Sequence, residues 1–196
     1  MMPESARFTN AKIKPHGFRK GGVLFVSIPK NNSTIIRKAG CFNIKRNRRD
    51  QYQDDAPVCF AVIRDPAARV WSGVGEWIRR KRPDSKLTVD EVLKHFDLWR
   101  EEFDEHLERQ EYFLPTRRIH LFRFDRQDEV VDFLARNGCA LWATRLNRLL
   151  KATRNCPARY VERATEIAER HYSGDLRLWR ALDDLGTGEV EITDAP

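Results

Sequence analysis

Val23-Leu24-Phe25-Val26-Ser27-Ile28-Pro29-Lys30-Asn31-Asn32-Ser33-Thr34 decides the fold. A short apolar run of strand length meets a proline and a polar turn, and Ser33 to Ala39 is suited to open a helix directly after it. The pattern recurs at Val58-Cys59-Phe60-Ala61-Val62-Ile63-Arg64-Asp65-Pro66. There Asp65 and Pro66 form a good N-cap and N1 pair for a helix over Ala67 to Arg80. Both runs are nearly continuous in apolar residues, as expected for central strands covered on both faces. A third run, Ile119 to Phe124, alternates more and is expected nearer an edge. Strands alternating with helices predict an α/β fold: a three-layer, mostly parallel sheet flanked by helices.

Further helices follow from local signals. Thr88-Val89-Asp90-Glu91 is a capping box. It predicts a long helix with Val92, Phe96, Trp99, Phe103 and Leu107 at helical spacing. Gln127 to Arg136 reads as a helix stopped by Gly138. Pro157 to His171 reads as another, with Val161, Ala164, Ile167 and Ala168 inward. Asp175 is expected to cap a last helix through Leu182. The expected organisation is an N-terminal extension over 1–21, one domain over 22–185, and a flexible tail over 186–196.

Composition bounds the function. The chain has 196 residues, 36 Lys plus Arg against 29 Asp plus Glu, and a formal net charge of +7. That length fits one domain. A hydrophobic fraction of 41% excludes wholesale disorder, and 33% charged residues demand an ionic surface. No window approaches the roughly 18 apolar residues of a membrane span. The opening MMPESARFTNAKIKPHGFRKGG has no apolar run and is no secretory signal, so a cytoplasmic protein is expected. Cys41, Cys59, Cys139 and Cys156 are far apart, which argues against a zinc site or a disulfide framework. The net positive charge predicts anionic partners.

In parallel sheets ligands bind outside the carboxyl ends of the strands, which singles out two stretches. After the first strand, successive N–H groups of the turn Pro29 to Thr34 can form an anion nest at a helix N-terminus. Lys30 adds a mobile charge, and Ser33 and Thr34 add hydroxyls. This is P-loop-like physics without the Walker spacing, since the lysine precedes the turn. After the second strand, Arg64 at the strand end and Ser72 two turns into the next helix can share one phosphate. The plain alternative for each stretch is a polar loop or a salt-bridged surface.

Taken together, PK-x-x-[ST]-T after one strand and RDP-x-x-R-x-x-S after the next resemble the segments of sulfotransferases that use 3′-phosphoadenylyl sulfate (PAPS). The closest likeness is to the family 2 carbohydrate sulfotransferases. The resemblance implies that Lys30, Asn31, Asn32, Ser33 and Thr34 bind the 5′-phosphosulfate, and that Arg64 and Ser72 bind the 3′-phosphate. It makes Arg69 a structural arginine. His106-Leu107-Glu108-Arg109-Gln110, the strand Ile119 to Phe124, Arg145-Leu146-Asn147 and Tyr172-Ser173-Gly174-Asp175-Leu176 continue the likeness in order over about residues 22–184. This chain departs from the family at Asn31 and Asn32, where a small residue or Gly is usual; Asn tolerates positive φ. It also departs in having no His or Glu between residues 38 and 63, where several relatives place a catalytic base.

Sulfuryl transfer needs a base for the acceptor hydroxyl and a cation for the leaving phosphate. Lys30 is the expected cation. His106 is the expected base, turned inward by the helix spacing from Trp99 and Phe103 with Gln110 on the same face; Asp54 and Asp55 are the alternatives. His95, His120 and His171 read as structural, and His16 as exposed. Basic clusters at Lys45, Arg46, Arg48 and Arg49, at Arg79 to Arg82, and at Arg145, Arg148, Lys151 and Arg154 are solvated faces or an acceptor groove. The leading expectation is a sulfotransferase moving a sulfuryl group from PAPS to a hydroxyl acceptor, first of all a carbohydrate, without a metal. The alternatives are a basic nucleic-acid-binding module, which lacks a recognised motif and interleaved aromatics, a P-loop kinase, and a degenerate nucleotide-binding relative without activity.

Overall fold

The computed structural model describes residues 16–20, 22–31, 33–40, 58–115, 118–150, 156–185 and 188–191. One five-stranded sheet organises them, in the order β1 (His16–Lys20), β2 (Val23–Ser27), β3 (Val58–Ile63), β4 (Arg118–Arg123) and β5 (Gly188–Glu191). The three inner strands run parallel: Leu24 pairs with Cys59, and Ala61 with Leu121. Each edge strand is antiparallel, β1 to β2 and β5 to β4. The chain is therefore α/β, with the two decisive apolar runs side by side. The third run, expected nearer an edge, is flanked on both sides. Its partner β5 lies in the stretch read as a flexible tail, and β1 lies in the expected extension. Four residues without long apolar character gave β5 no signal of its own.

Strand alternation sends side chains to two cores. Val23, Phe25, Phe60, Val62 and Phe122 meet α1 (Ser33–Gly40), α5 (Gln127–Arg136) and α6 (Ala140–Leu149) through Ile36, Phe133, Trp142 and Leu146. Leu24, Val26, Cys59, Ala61, Ile63 and Leu121 meet Leu178 and Leu182 of α8 (Ser173–Leu185), with Phe113 and Leu114. A third cluster forms where α2 (Pro66–Lys81) packs Val70, Val74 and Trp77 against α3 (Val89–Lys94), α4 (Phe96–Trp99) and α7 (Ala158–His171).

Caps behave as the sequence predicts at two helices. Asp65 accepts the Ala68 amide at 2.7 Å ahead of Pro66, and Thr88 with Glu91 completes the capping box. Gly138 after α5 takes φ 75°, a conformation that favours glycine. The long helix from Thr88 to Leu107 does not form. It stops at Lys94, resumes for one turn, tightens to a 3₁₀ turn over Arg100–Glu102, and is extended at Phe103. Arg163 of α7 explains the break, because its guanidinium donates to the Leu93 and Lys94 carbonyls, both at 3.1 Å. Trp77 then holds the chain further on, donating to the Glu102 carbonyl at 3.0 Å and packing edge-on against Phe103. A straight helix of that length would run about 30 Å and could not fold these aromatics back onto α2.

Two smaller expectations also change. Val161 is exposed, whereas Ala164, Ile167 and Ala168 are buried as expected. Asp175 does not cap α8, which begins at Ser173; its buried carboxylate is turned to another segment. Cys59 and Cys139 are buried, and Cys156 is half-buried; Cys41 lies outside the described residues. No helix among the described residues is long and apolar enough to cross a membrane.

Candidate functional site

Parallel pairing of β2 and β3 brings their carboxyl ends together, and with them the two stretches singled out in the sequence. After β2 the chain turns at Ile28–Asn31, closed by the Asn31 amide on the Ile28 carbonyl at 3.3 Å, and α1 starts at Ser33. Lys30 has φ 68° and is the one non-glycine residue with positive φ among those described. The tolerance for positive φ expected of the asparagines is thus used at the lysine. Such a conformation costs on the order of 1–3 kcal/mol and persists only where the surroundings impose it.

The surroundings here are a ring of buried polar groups. Arg64, at the end of β3, donates from Nη1 to the Lys30 carbonyl at 3.1 Å and lies over the Phe124 ring at 4.6 Å. Arg69, one turn into α2 and fully buried, donates from Nε to the Pro29 carbonyl at 3.3 Å. Asn31 does not present its side chain outward. Its Nδ2 donates to the Val62 carbonyl at 2.7 Å and to Gln110 Oε1 at 2.5 Å. Gln110, also fully buried, accepts the Arg64 amide and returns a bond to the Arg64 carbonyl, both at 2.9 Å. Asp175 holds Gln110 from behind, accepting the amides of Gln110 and Glu111 at 2.9 and 3.1 Å.

Burial dominates the electrostatics of this ring. It pushes the Arg64 guanidinium down to about 10, so the group stays charged at neutral pH. It pushes the Asp175 carboxyl up to about 6, against the opposing pull of Arg69 and of the two amides. Arg69 is lowered by the same burial and held by Asp175.

Outside the ring lies a half-exposed rim of charges. Lys30 Nζ is 3.6 Å from Glu76 Oε2 on α2. Burial lowers the Lys30 ammonium, Glu76 works against that, and Arg64 and Arg79 add to it. Glu76 is held below the ordinary carboxylate value by the Arg79 hydrogen bond, with Lys30 and His106 contributing. Ser72, one turn before Glu76, shares its face of α2. His106 sits in the irregular stretch after the 3₁₀ turn, not on a helix, so the spacing that turned it inward does not apply. It is nonetheless brought to α2: its Nδ1 is 2.8 Å from Asp104 Oδ1, and Arg80 Nη1 lies 3.3 Å from either ring nitrogen. Gly73 makes this approach possible, since a Cβ there would stand 2.8 Å from the His106 carbonyl and 2.7 Å from Leu107 Cδ2. Gln110 shares no helix face with His106; it belongs to the buried ring.

The remaining sequence candidates distribute as follows. Ser33 and Thr34 form the first turn of α1, where Arg37 folds back onto the Ser33 carbonyl at 3.2 Å and the Thr34 hydroxyl at 3.5 Å. Asn32, Asp54, Asp55, the cluster at Lys45 to Arg49, Lys151 and Arg154 lie outside the described residues. Arg145 and Asn147 lie on α6. The basic run on α2 is largely paired: Arg79 with Glu76, Arg80 with Asp104, and Arg82 with Glu102. Sequence reasoning missed Glu76, Arg37 and Asp104. The first two had a signal in the i, i+4 spacing from Ser72 and Ser33; Asp104 had one in its two-residue separation from His106.

Comparison with protein-family models, curated proteins and solved structures finds no match to this chain. The geometry and chemistry of the site stand as the basis for its function.

Proposed function

We propose that the chain is a PAPS-dependent sulfotransferase that moves a sulfuryl group from 3′-phosphoadenylyl sulfate to a hydroxyl, on a carbohydrate acceptor. The observation that carries this reading is the 3.1 Å bond between Arg64 and the Lys30 carbonyl, which sets two cationic strand ends side by side at the carboxyl edge of a parallel sheet. A nucleotide with phosphates on both its 3′ and 5′ positions needs such a pair. The positive φ of Lys30 suits a P-loop-like nest, in which successive amides converge on an anion.

In this reading the acceptor oxygen attacks sulfur in line, the bond from sulfur to the bridging phosphate oxygen breaks, and adenosine 3′,5′-bisphosphate leaves. Lys30 leaves Glu76 and neutralises the bridging oxygen as charge develops there. The backbone of the turn and the hydroxyls of Ser33 and Thr34 hold the 5′-phosphosulfate, while Arg64 and Ser72 hold the 3′-phosphate. His106 takes the acceptor proton at Nε2 when Arg80 gives up that nitrogen to the acceptor, with Asp104 accepting from Nδ1–H. Asp54 and Asp55 remain the alternatives for that proton. The chemistry assigned to these residues requires no metal.

The test is transfer itself. Purified chain incubated with PAPS and a panel of carbohydrates should release adenosine 3′,5′-bisphosphate only when an acceptor is present. Binding of the bisphosphate with no transfer to any acceptor would mark a nucleotide-binding relative without activity. Binding of DNA with no nucleotide binding would mark a nucleic-acid module.

A further inference from the structure

Besides the direct bond from Arg64 to the Lys30 carbonyl, the two strand ends are tied through a residue that lies on neither of them. We infer that Gln110 is a positioning residue that locks the turn after β2 to the end of β3, so that one ligand can engage both with two phosphates at once. The inference rests on the nucleotide-binding reading above and goes beyond it, since Gln110 makes no contact with the ligand in it.

Three observations carry the assignment. First, the Gln110 carboxamide exchanges two hydrogen bonds with the Arg64 backbone, both at 2.9 Å. A residue of an adjacent strand does the same in an antiparallel ladder. The side chain thus extends the pairing of β3 one residue past Ile63, where β3 ends, and fixes Arg64 at the point where its side chain leaves the sheet. Second, that exchange fixes which end of the amide is oxygen, because the Arg64 N–H needs an acceptor and the Arg64 carbonyl a donor. Oε1 therefore faces Asn31, and Nδ2 of Asn31 donates to it at 2.5 Å and to the Val62 carbonyl at 2.7 Å. The turn carrying Lys30 is thus moored to β3 through this amide pair as well as through the Arg64 bond to the Lys30 carbonyl. Third, Gln110 is itself fixed from behind, where Asp175 accepts its backbone N–H and the next one. Arg69, whose charge acts on Asp175 across the interior, donates to the Pro29 carbonyl at 3.3 Å. The turn is thereby held from its other side as well.

Asn31, Arg64, Arg69, Gln110 and Asp175 are all buried, and burying an arginine and a carboxylate is unfavourable unless geometry compensates. Apolar side chains would fill the space with less cost and would leave the turn free to move. A fixed separation matters for a ligand with two anionic ends, because the second phosphate binds intramolecularly only if both half-sites keep their spacing.

The experiment uses the full chain and three probes: adenosine 3′,5′-bisphosphate, adenosine 5′-phosphate and adenosine 3′-phosphate, each titrated by calorimetry. Gln110→Met keeps the volume and removes all three side-chain bonds. The expected result is a loss of about tenfold or more in affinity for the bisphosphate, with each monophosphate within about threefold of the wild type. Equal losses for all three probes, or no loss for any, would overturn the assignment and make Gln110 an ordinary core residue. If Gln110→Met does not fold, Asn31→Ala carries the test, because it removes the side-chain bonds from the turn to Val62 and Gln110 and leaves the Gln110–Arg64 pair intact; the same selective loss is expected and the same equal loss refutes. A wild-type chain that binds none of the three probes would remove the nucleotide reading itself, and the positioning role with it.

Discussion

The inner ring and the outer rim of the site are built on opposite principles. The ring, made of Asn31, Arg64, Arg69, Gln110 and Asp175, is buried and held largely by directed bonds to backbone groups. The rim, made of Lys30, Glu76, Asp104, His106, Arg79 and Arg80, consists of partly exposed side chains paired with one another. Bonds to backbone fix positions, whereas solvated ion pairs contribute little stability and exchange partners readily. The difference teaches that fixed geometry and adaptable charge are separated here. The ring holds the strand ends in place, and the rim carries charges that solvent reaches.

The comparison breaks most visibly at Arg69. Arg69→Met removes the buried charge that opposes the desolvation of the Asp175 carboxylate, and leaving a buried charge uncompensated costs about 3–5 kcal/mol. Urea denaturation should report that loss, and the double variant Arg69→Met with Asp175→Asn should recover part of it. If Arg69→Met were as stable as the wild type, the ring would not be a stability element.

On the rim the expectation is reversed. Lys30→Ala should leave the fold intact and reduce turnover by roughly 3–4 kcal/mol of transition-state stabilisation, with a smaller effect on nucleotide affinity. Steady-state kinetics beside calorimetry separates the two.

The pH dependence of stability sharpens the contrast. Burial raises the folded Asp175 carboxyl to about 6 from an ordinary 3.8. The folded state therefore holds a proton that the unfolded chain releases. The stability contributed by this group is fully present below about pH 4 and is lost as pH rises through about 6, a change of about 3 kcal/mol. Denaturation series between those values should show the slope, and Asp175→Asn should flatten it. The smallest effect belongs to the exposed pair of Arg82 with Glu102: Arg82→Ala should cost less than about 1 kcal/mol, and added salt should shrink the difference.

The parts of the molecule readable in its sequence are those whose signals are local. The runs at Val23 to Ile28 and Val58 to Ile63 carry the sheet's centre in their own apolar content, and Asp65-Pro66 carries the start of α2. The break after Lys94 was not readable, because it is made by Arg163, some seventy positions later. Asp175 looked like a cap because aspartate after a turn usually is one; the amides of Gln110 and Glu111 claim it from a distant segment instead. Asn31 and Asn32 were read as two residues of one nest, yet Asn31 spends its amide on Val62 and Gln110. Glu76 was hidden in a basic helix and stands out only once β2 and α2 are neighbours.

Thermal melting of the wild-type chain with adenosine 3′,5′-bisphosphate, with ATP and with a DNA oligonucleotide tests the central claim most directly. A ligand that binds only the folded state stabilises it by about 2.7 kcal/mol at a hundred times its Kd. The account predicts a clear rise in Tm with the bisphosphate, a smaller one or none with ATP, and loss of the difference in Arg64→Ala. A melting temperature unmoved by the bisphosphate, or raised by DNA alone, would contradict it.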